Sequence, residues 1–400
     1  MNYNTEVAII GAGPAGLLLG RLLTLAGIEN IVIETRSQEY VKQRQRAGLL
    51  EQPTVDLLCE IGIDSRLKEL GFFHEGFEFR FDGQKHRVAL RENAAGASTV
   101  LYPQTEIVKD LLTAREISGE QILFDVEDVR LKNVCSDRPS LLFRDKNGLS
   151  CEVRSVFIAG CDGYHGVSRQ YIPEDDKKSY SRSFPFQWLK VMAEAPPVTT
   201  EIIYASHPDG FAMQSLRSEQ LSQLYMQVPL DTSLEEWNEN RIWDTLQERM
   251  AARGAPQLNE GKIVKQDLVK LRTFGIHRLQ YGRLFLAGDS AHIVPPSAAK
   301  GLNQAAADAK LLSLCFRSYF SSGSFAQLDR YSEYALQRIT QVLRFSDYMT
   351  ELFHSFPDLS RLRCQQVAGL KRLVYSAEDL VWFCRNYTGL PFASHEAFMS

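Results

Sequence analysis

Four consecutive apolar residues, Val7-Ala8-Ile9-Ile10, give way to a glycine-rich turn and a helically spaced run before Ile31-Val32-Ile33 resumes the apolar text. A short, wholly apolar run bounded by glycine reads as a strand buried on both faces, as in parallel sheets covered by crossover helices. Residues 5–35 are therefore predicted to form a β-α-β unit. Helical spacing returns at about 42–62 and again at about 105–118. Between them, residues 73–102 hold short alternating segments such as Phe77-Glu78-Phe79-Arg80-Phe81 and Thr99-Val100-Leu101-Tyr102. Period two marks them as strands. Further short strands lead to Val156-Phe157-Ile158-Ala159-Gly160, which ends in a second glycine turn, Cys161-Asp162-Gly163.

From about 183 to 230 the pattern changes. Segments near Trp188, Ile202–Ala205, Phe211–Leu216 and Leu224–Val228 alternate apolar and polar residues between turns. They predict a largely antiparallel sheet distinct from the first unit. Leu234–Ala252 reads as one amphipathic helix. Leu284-Phe285-Leu286-Ala287-Gly288-Asp289 returns to the buried-strand style, and beyond Gly301 the text is helical to about Asn386. The expected class is α/β (mixed α+β), with a Rossmann-like unit at 1–180 that continues at 270–300. A sheet domain at 181–269 is inserted into it, and a helical region occupies 301–400. The strands of 73–102 are expected to join the inserted sheet.

Composition narrows the class of function. The 400 residues are 44% hydrophobic and 24% charged, as in a globular protein with a sizeable core. A net charge of −4 supplies no general attraction to nucleic acid or anionic membrane. The first strand begins too early to leave room for a signal peptide, and no apolar run approaches a bilayer span. Seven scattered cysteines without a CxxC pair read as reduced thiols of a cytoplasmic protein. Eight histidines without ligand spacing predict no metal.

The chemistry starts at Gly11-Ala12-Gly13-Pro14-Ala15-Gly16. Strand, tight turn and helix come in that order, and Glu34 closes the next strand, the spacing of a dinucleotide site. Gly11 permits the turn, Gly13 lets a pyrophosphate approach the backbone, and Gly16 lets the helix pack on its strand. The helix N-terminus offers unpaired N–H groups to phosphate, and Glu34 can accept from ribose hydroxyls.

The order of this motif, the Asp162-Gly163 turn and the Gly288-Asp289 turn resembles the class A flavin-dependent aromatic monooxygenases. The stretches Arg46–Gln52, Ile158–Arg169, Leu284–Asn303 and Asn386–Pro391 carry the likeness over nearly the whole chain. The resemblance implies bound FAD, held by Gly11, Gly13, Ala15, Gly16, Glu34, Arg44, Arg46, Ala47, Gly48, Leu49, Gln104, Asp162, Asp289, Leu302 and Asn303. It assigns Tyr40, His165, Arg169 and Arg272 to NADPH or NADH, leaning to NADPH although Thr35 stands where an arginine is usual. It implies a small aromatic acid and O2 as co-substrates, and a homodimer. Tyr204, Ser215, Arg217, Tyr225 and the Pro296 carbonyl fall on substrate positions. Tyr204, Tyr387 and a solvent-side His74 fall on a proton relay.

The expected reaction is ortho-hydroxylation of 4-hydroxybenzoate, or a close para-hydroxylated benzoate, through a C4a-hydroperoxyflavin. A flavin-binding sensor without turnover is the alternative outside catalysis. Gln223, in place of an arginine, and Ala298, in place of a glycine, depart from the pattern. So do Leu49, Met213 and Gln214, which are expected in or near the pocket.

Overall fold

The computed structural model describes residues 1–44, 48–356 and 360–394. Strand β1 (Val7–Ile10) runs into α1 (Pro14–Leu25), and the chain returns as β2 (Asn30–Ile33). These strands sit in a six-stranded sheet ordered Gln280–Tyr281, Leu284–Leu286, Phe157–Gly160, β1, β2, Ile122–Leu123. All pairs are parallel except the one at Gln280–Tyr281. Every residue of β1, β2 and Phe157–Gly160 is buried. That is why their sequence, the buried Asn30 apart, is apolar on both faces rather than alternating.

The second large sheet has eight strands. From one edge they are His292–Ile293, β8 (Lys262–Ile276), β4 (Ser179–Glu194), β7 (Leu221–Pro229), β6 (Gly210–Ser218), β5 (Ile202–His207), β3 (Gly76–Phe81) and Gln84–Ala89. Its pairs are antiparallel except β5 with β3. Alternation gives it two apolar faces. Leu189, Ile203, Ala212 and Met226 pack under the helix Glu239–Met250. Phe79, Trp188, Tyr204, Met213 and Tyr225 face the C-terminal helices. Those are α3 (Tyr331–Phe353), the helix Ser360–Tyr375 and α4 (Ala377–Thr388), whereas α2 (Lys300–Ser322) packs against α1.

Four expectations need correction. Residues 42–62 are not one helix. Gln38–Gln43 and Gln52–Glu60 are helical, but Leu49–Glu51 is a strand paired with Thr99–Leu101, and Pro53 opens the helix after it. Strands of 73–102 divide between sheets: β3 and Gln84–Ala89 join the eight-stranded sheet, whereas Phe72–His74 and Thr99–Leu101 pair beside Leu49–Glu51. Leu234–Ala252 is a 3-10 turn, Leu234–Glu236, followed by the helix Glu239–Met250. The Asn238 side chain accepts from the Arg241 N–H at 2.9 Å and starts the helix afresh. The long strand β8 also runs through position 270, where the sheet domain was expected to end. Among the described residues no helix is long and apolar enough to cross a membrane.

Candidate active site

At the end of β1 the three glycines do different jobs. Gly11 has φ +105°, and a Cβ there would lie 2.4 Å from the Cys161 carbonyl oxygen. A Cβ at Gly16 would lie 2.0 Å from the Gly11 carbonyl oxygen, so only glycine lets α1 sit this close to the turn. A Cβ at Gly13 meets nothing within 4 Å. That open space lies at the N-terminus of α1, which starts at Pro14 with no side-chain cap and no acidic residue in its first turn. Free N–H groups facing open space fit the pyrophosphate of a dinucleotide. Glu34 accepts from the Ala12 N–H at 2.8 Å and from the Arg36 N–H at 2.8 Å, which aims its carboxylate along this edge.

Gly288, at φ +69°, brings the second turn against α1, since a Cβ there would lie 3.0 Å from the Ala15 Cβ. Asp289 beside it is exposed, and the Gly288 N–H donates to Asp308 at 2.8 Å. Asp308 also bonds His292 at 2.5 Å. Nothing in the spacing of the sequence singled out either residue. Asp162 accepts from the Ser168 N–H and hydroxyl, both at 2.9 Å, while its other oxygen is buried without a partner among the described residues. Burial pushes this carboxyl up from its ordinary range. The first turn of α2 is likewise uncapped and offers the Gly301 and Leu302 N–H groups.

The side chain of Asn303, expected beside FAD, is engaged within the protein. Its oxygen accepts from the Glu51 N–H at 2.9 Å and the Thr54 hydroxyl at 2.8 Å, and its amide donates to the Leu49 and Ala299 carbonyls. The side chain is used up in tying strand Leu49–Glu51 to α2. Gly48 is held the same way, its carbonyl accepting from the Tyr102 N–H at 2.8 Å. Arg44 is exposed and Gln104 opens the helix Gln104–Ser118. Arg46 and Ala47 lie outside the described residues.

Of the nicotinamide set, Arg169 and Arg272 converge on Tyr164, their guanidinium carbons 4.6 and 3.7 Å from its ring centre. His165 packs edge-on to the same ring at 5.0 Å. Arg169 also donates to the Ser290 carbonyl at 3.0 Å, joining the two glycine-aspartate turns. Tyr40 is instead half exposed on the helix Gln38–Gln43, under Arg36.

The substrate set lies on one face of the large sheet. Tyr204 pairs with Met213, and Met213 with Tyr225, so the three form one row across β5, β6 and β7. Ser215 lies two residues further along that face, opposite the buried Gln223. Arg217 sits where the β6–β7 register shifts, a bulge that re-aims a side chain. Among the described residues no carboxylate lies within ion-pair distance of this partly buried guanidinium, although Glu106 acts on it from further off; burial pushes the nearby Tyr225 phenol up, against the opposing pull of the guanidinium. The Pro296 carbonyl accepts from the Ala299 N–H at 3.0 Å, leaving one lone pair. Gln214 points the other way: its amide bonds Val198 and Ser222 behind the sheet. It therefore cannot shape this pocket.

Tyr387, on α4, brings its hydroxyl to 2.8 Å from that of Tyr204, and burial pushes both phenols up. Lys300 fixes that end of α4 by donating to Glu51 and to the Asn386 and Tyr387 carbonyls. His74, expected at the solvent side, is itself buried. It is 2% exposed, its Nε2 has no partner among the described residues, and burial pushes it down to about 4. It borders a cavity of about 610 Å³ together with Gln52, Phe73, Glu75 and Arg91. Absent from the sequence reading is His354, fully buried against Trp188 and pushed by burial down to about 3.

A family model described as an FAD binding domain matches residues 4–346. The p-hydroxybenzoate hydroxylase of Acinetobacter baylyi is 43% identical over 389 residues, 97% of this chain and 96% of that one. The 2,4-dichlorophenol 6-monooxygenase of Cupriavidus pinatubonensis is 24% identical over 77% of this chain and 55% of its own. Among solved structures, the p-nitrophenol 4-monooxygenase PnpA of Pseudomonas putida superposes with a TM-score of 0.80 at 19% identity, covering 97% of this chain and 99% of that one. Matched along most of its length by that family model, and nearly end to end by an aromatic hydroxylase, the chain belongs to the FAD-dependent aromatic hydroxylases and is a flavoprotein monooxygenase.

Proposed function

We propose that this monooxygenase converts 4-hydroxybenzoate, or a close para-hydroxylated benzoate, to the 3,4-diol. The balance is one aromatic acid, one NAD(P)H, one O2 and one proton giving the diol, NAD(P)+ and water. The observation that carries the reading is the polarity of the pocket: at one pole a guanidinium with no ion pair among the described residues, and paired tyrosine hydroxyls at the other. The name of the relative that is 43% identical agrees with this choice of substrate.

Arg217 would take the substrate carboxylate in a fork of two hydrogen bonds, with Ser215 and Tyr225 donating to the same oxygens. The ring would then lie over Met213, the middle of the row. At the far pole the substrate phenol donates to Tyr204, and Tyr204 to Tyr387. A phenol has an ordinary pKa of about 10, and its phenolate is the better electron donor, so drawing the proton down this chain activates the ring. His74 is neutral at pH 7, so it would accept on one nitrogen while releasing from the other.

The α1 N-terminus, Glu34, Asp289 and the first turn of α2 would hold FAD. When bound, FAD supplies hydride uptake from NAD(P)H and delivery of one oxygen atom to the ring carbon beside the hydroxyl. Tyr164 with Arg169, Arg272 and His165 would receive the nicotinamide dinucleotide. Exposed Tyr375 and Trp382, on the C-terminal helices, suit the contact of a homodimer.

The test is oxidation of NADPH and NADH by the purified yellow protein with and without 4-hydroxybenzoate. Stimulation with one diol formed per reduced nicotinamide is expected. A rate indifferent to the acid would overturn the proposal, and peroxide without diol would direct it to another ring substitution.

A further inference from the structure

Where α3 ends, a buried chain of hydrogen bonds crosses from the substrate sheet to the loop at Pro296. The indole N–H of Trp188 can only donate, so at 2.6 Å the Nε2 of His354 must accept it. The proton of His354 is therefore on Nδ1, which donates to the Thr350 carbonyl at 2.8 Å. The Thr350 hydroxyl donates to the Ser346 carbonyl at 2.8 Å, and so accepts from the Ser297 hydroxyl, also at 2.8 Å. Every donor has one acceptor, and the direction is unique.

Both ends of this chain touch the pocket. The Trp188 ring lies 5.1 Å from that of Tyr225, and Ser297 follows Pro296. The His354 ring is stacked on Phe186 at 4.7 Å and 4°, and on Phe211 at 4.4 Å. Its neighbour Phe353 lies 5.5 Å from Tyr204. The segment cannot slide, because Gln227 both donates to the Ser355 carbonyl and accepts from its N–H.

We infer that His354 is a positioning residue that locks Trp188 behind Tyr225 and, through Thr350, locks the Pro296–Ser297 turn, setting the two walls of the pocket at one spacing. The inference rests on the substrate reading above. Its acceptor nitrogen, rather than its bulk, carries this role, so a side chain that only fills the stack cannot replace it.

The experiment compares wild-type holoenzyme with H354F, H354Q and W188F/H354F, by 4-hydroxybenzoate Kd, diol formed per NAD(P)H and thermal midpoint. H354F keeps the stack but strands the indole N–H; its Kd should rise about tenfold and its coupling fall, as when a buried donor loses its partner. H354Q restores an acceptor and should return the Kd to within about threefold of wild type. W188F/H354F removes the stranded donor, so it should regain midpoint while its Kd stays weak. Should H354F fail to fold, H354Q against the double variant decides the matter. Wild-type Kd and coupling in H354F, or Kd and midpoint moving in step through all variants, would overturn the inference alone. No binding of 4-hydroxybenzoate by wild type would overturn it together with the substrate reading.

Discussion

The hydroxyls of Tyr204 and Tyr387 meet at 2.8 Å, although 183 positions separate them in the chain. One is held by an interior strand of the large sheet and the other by the last turn of α4. Burial keeps both phenols neutral at ordinary pH. A neutral pair has one proton to give in each direction, which makes it a conduit rather than a permanent base.

Replacing Tyr204 by Phe should leave 4-hydroxybenzoate binding within a few-fold of wild type, because the carboxylate clamp is untouched. Ring hydroxylation should slow by about a hundredfold, the lower end of what a positioned proton acceptor contributes. Rapid-quench measurement of diol, with peroxide measured in parallel, would show it. Unchanged coupling would remove the relay from the mechanism.

At Arg217, substitution by Ala should weaken substrate binding by about 3 kcal/mol, the scale for losing the charged partner of a buried carboxylate. Lys should recover only part of this, since a point charge does not reproduce the fork. Titration calorimetry reads both variants. An Ala variant that binds normally would put the acid elsewhere.

Glycines 11 and 13 should separate folding from cofactor binding. Gly11→Ala combines an unfavourable φ with a clash at 2.4 Å and should lower the thermal midpoint of the apoprotein. Gly13→Ala meets nothing within 4 Å, at an ordinary φ of −77°. It should leave the apoprotein midpoint alone and weaken FAD affinity by about tenfold or more, because its methyl occupies ligand space. Equal FAD affinity in Gly13→Ala and wild type would argue that the pyrophosphate does not pass there.

Acid should expose the buried histidine. The folded pKa of His74 is depressed from 6.5 to about 4, so the folded state favours the neutral ring. Its contribution is complete above pH 6.5 and is lost as pH falls toward 4, at up to about 1.4 kcal/mol per pH unit. The midpoint of wild type relative to H74Q should therefore be constant above pH 6.5 and decline below it. A difference that stays flat to pH 4.5 would mean the ring reaches water in the folded protein.

Much of this protein is written locally. The buried runs Val7–Ile10, Ile31–Ile33 and Phe157–Gly160 read as central strands, because continuous apolar text satisfies a sheet covered on both faces. Gly11 and Gly16 are dictated by contacts within a few residues or across one strand pair. Alternation in β5, β6 and β7 likewise fixes that Tyr204, Met213 and Tyr225 share a face, and that Gln214 does not.

Tertiary structure alone decided what faces that row. Helical spacing announces the C-terminal helices but not their partners, so the meeting of Tyr387 with Tyr204 is not encoded in either segment. His354 reads as an ordinary residue at a helix end, and becomes the acceptor for Trp188 only when α3 packs on the sheet. The partners of the Asn303 side chain and the burial of His74 are settled in the same way. A side chain's identity states which hydrogen bonds it can make, and only the packed neighbours determine which of them are already taken.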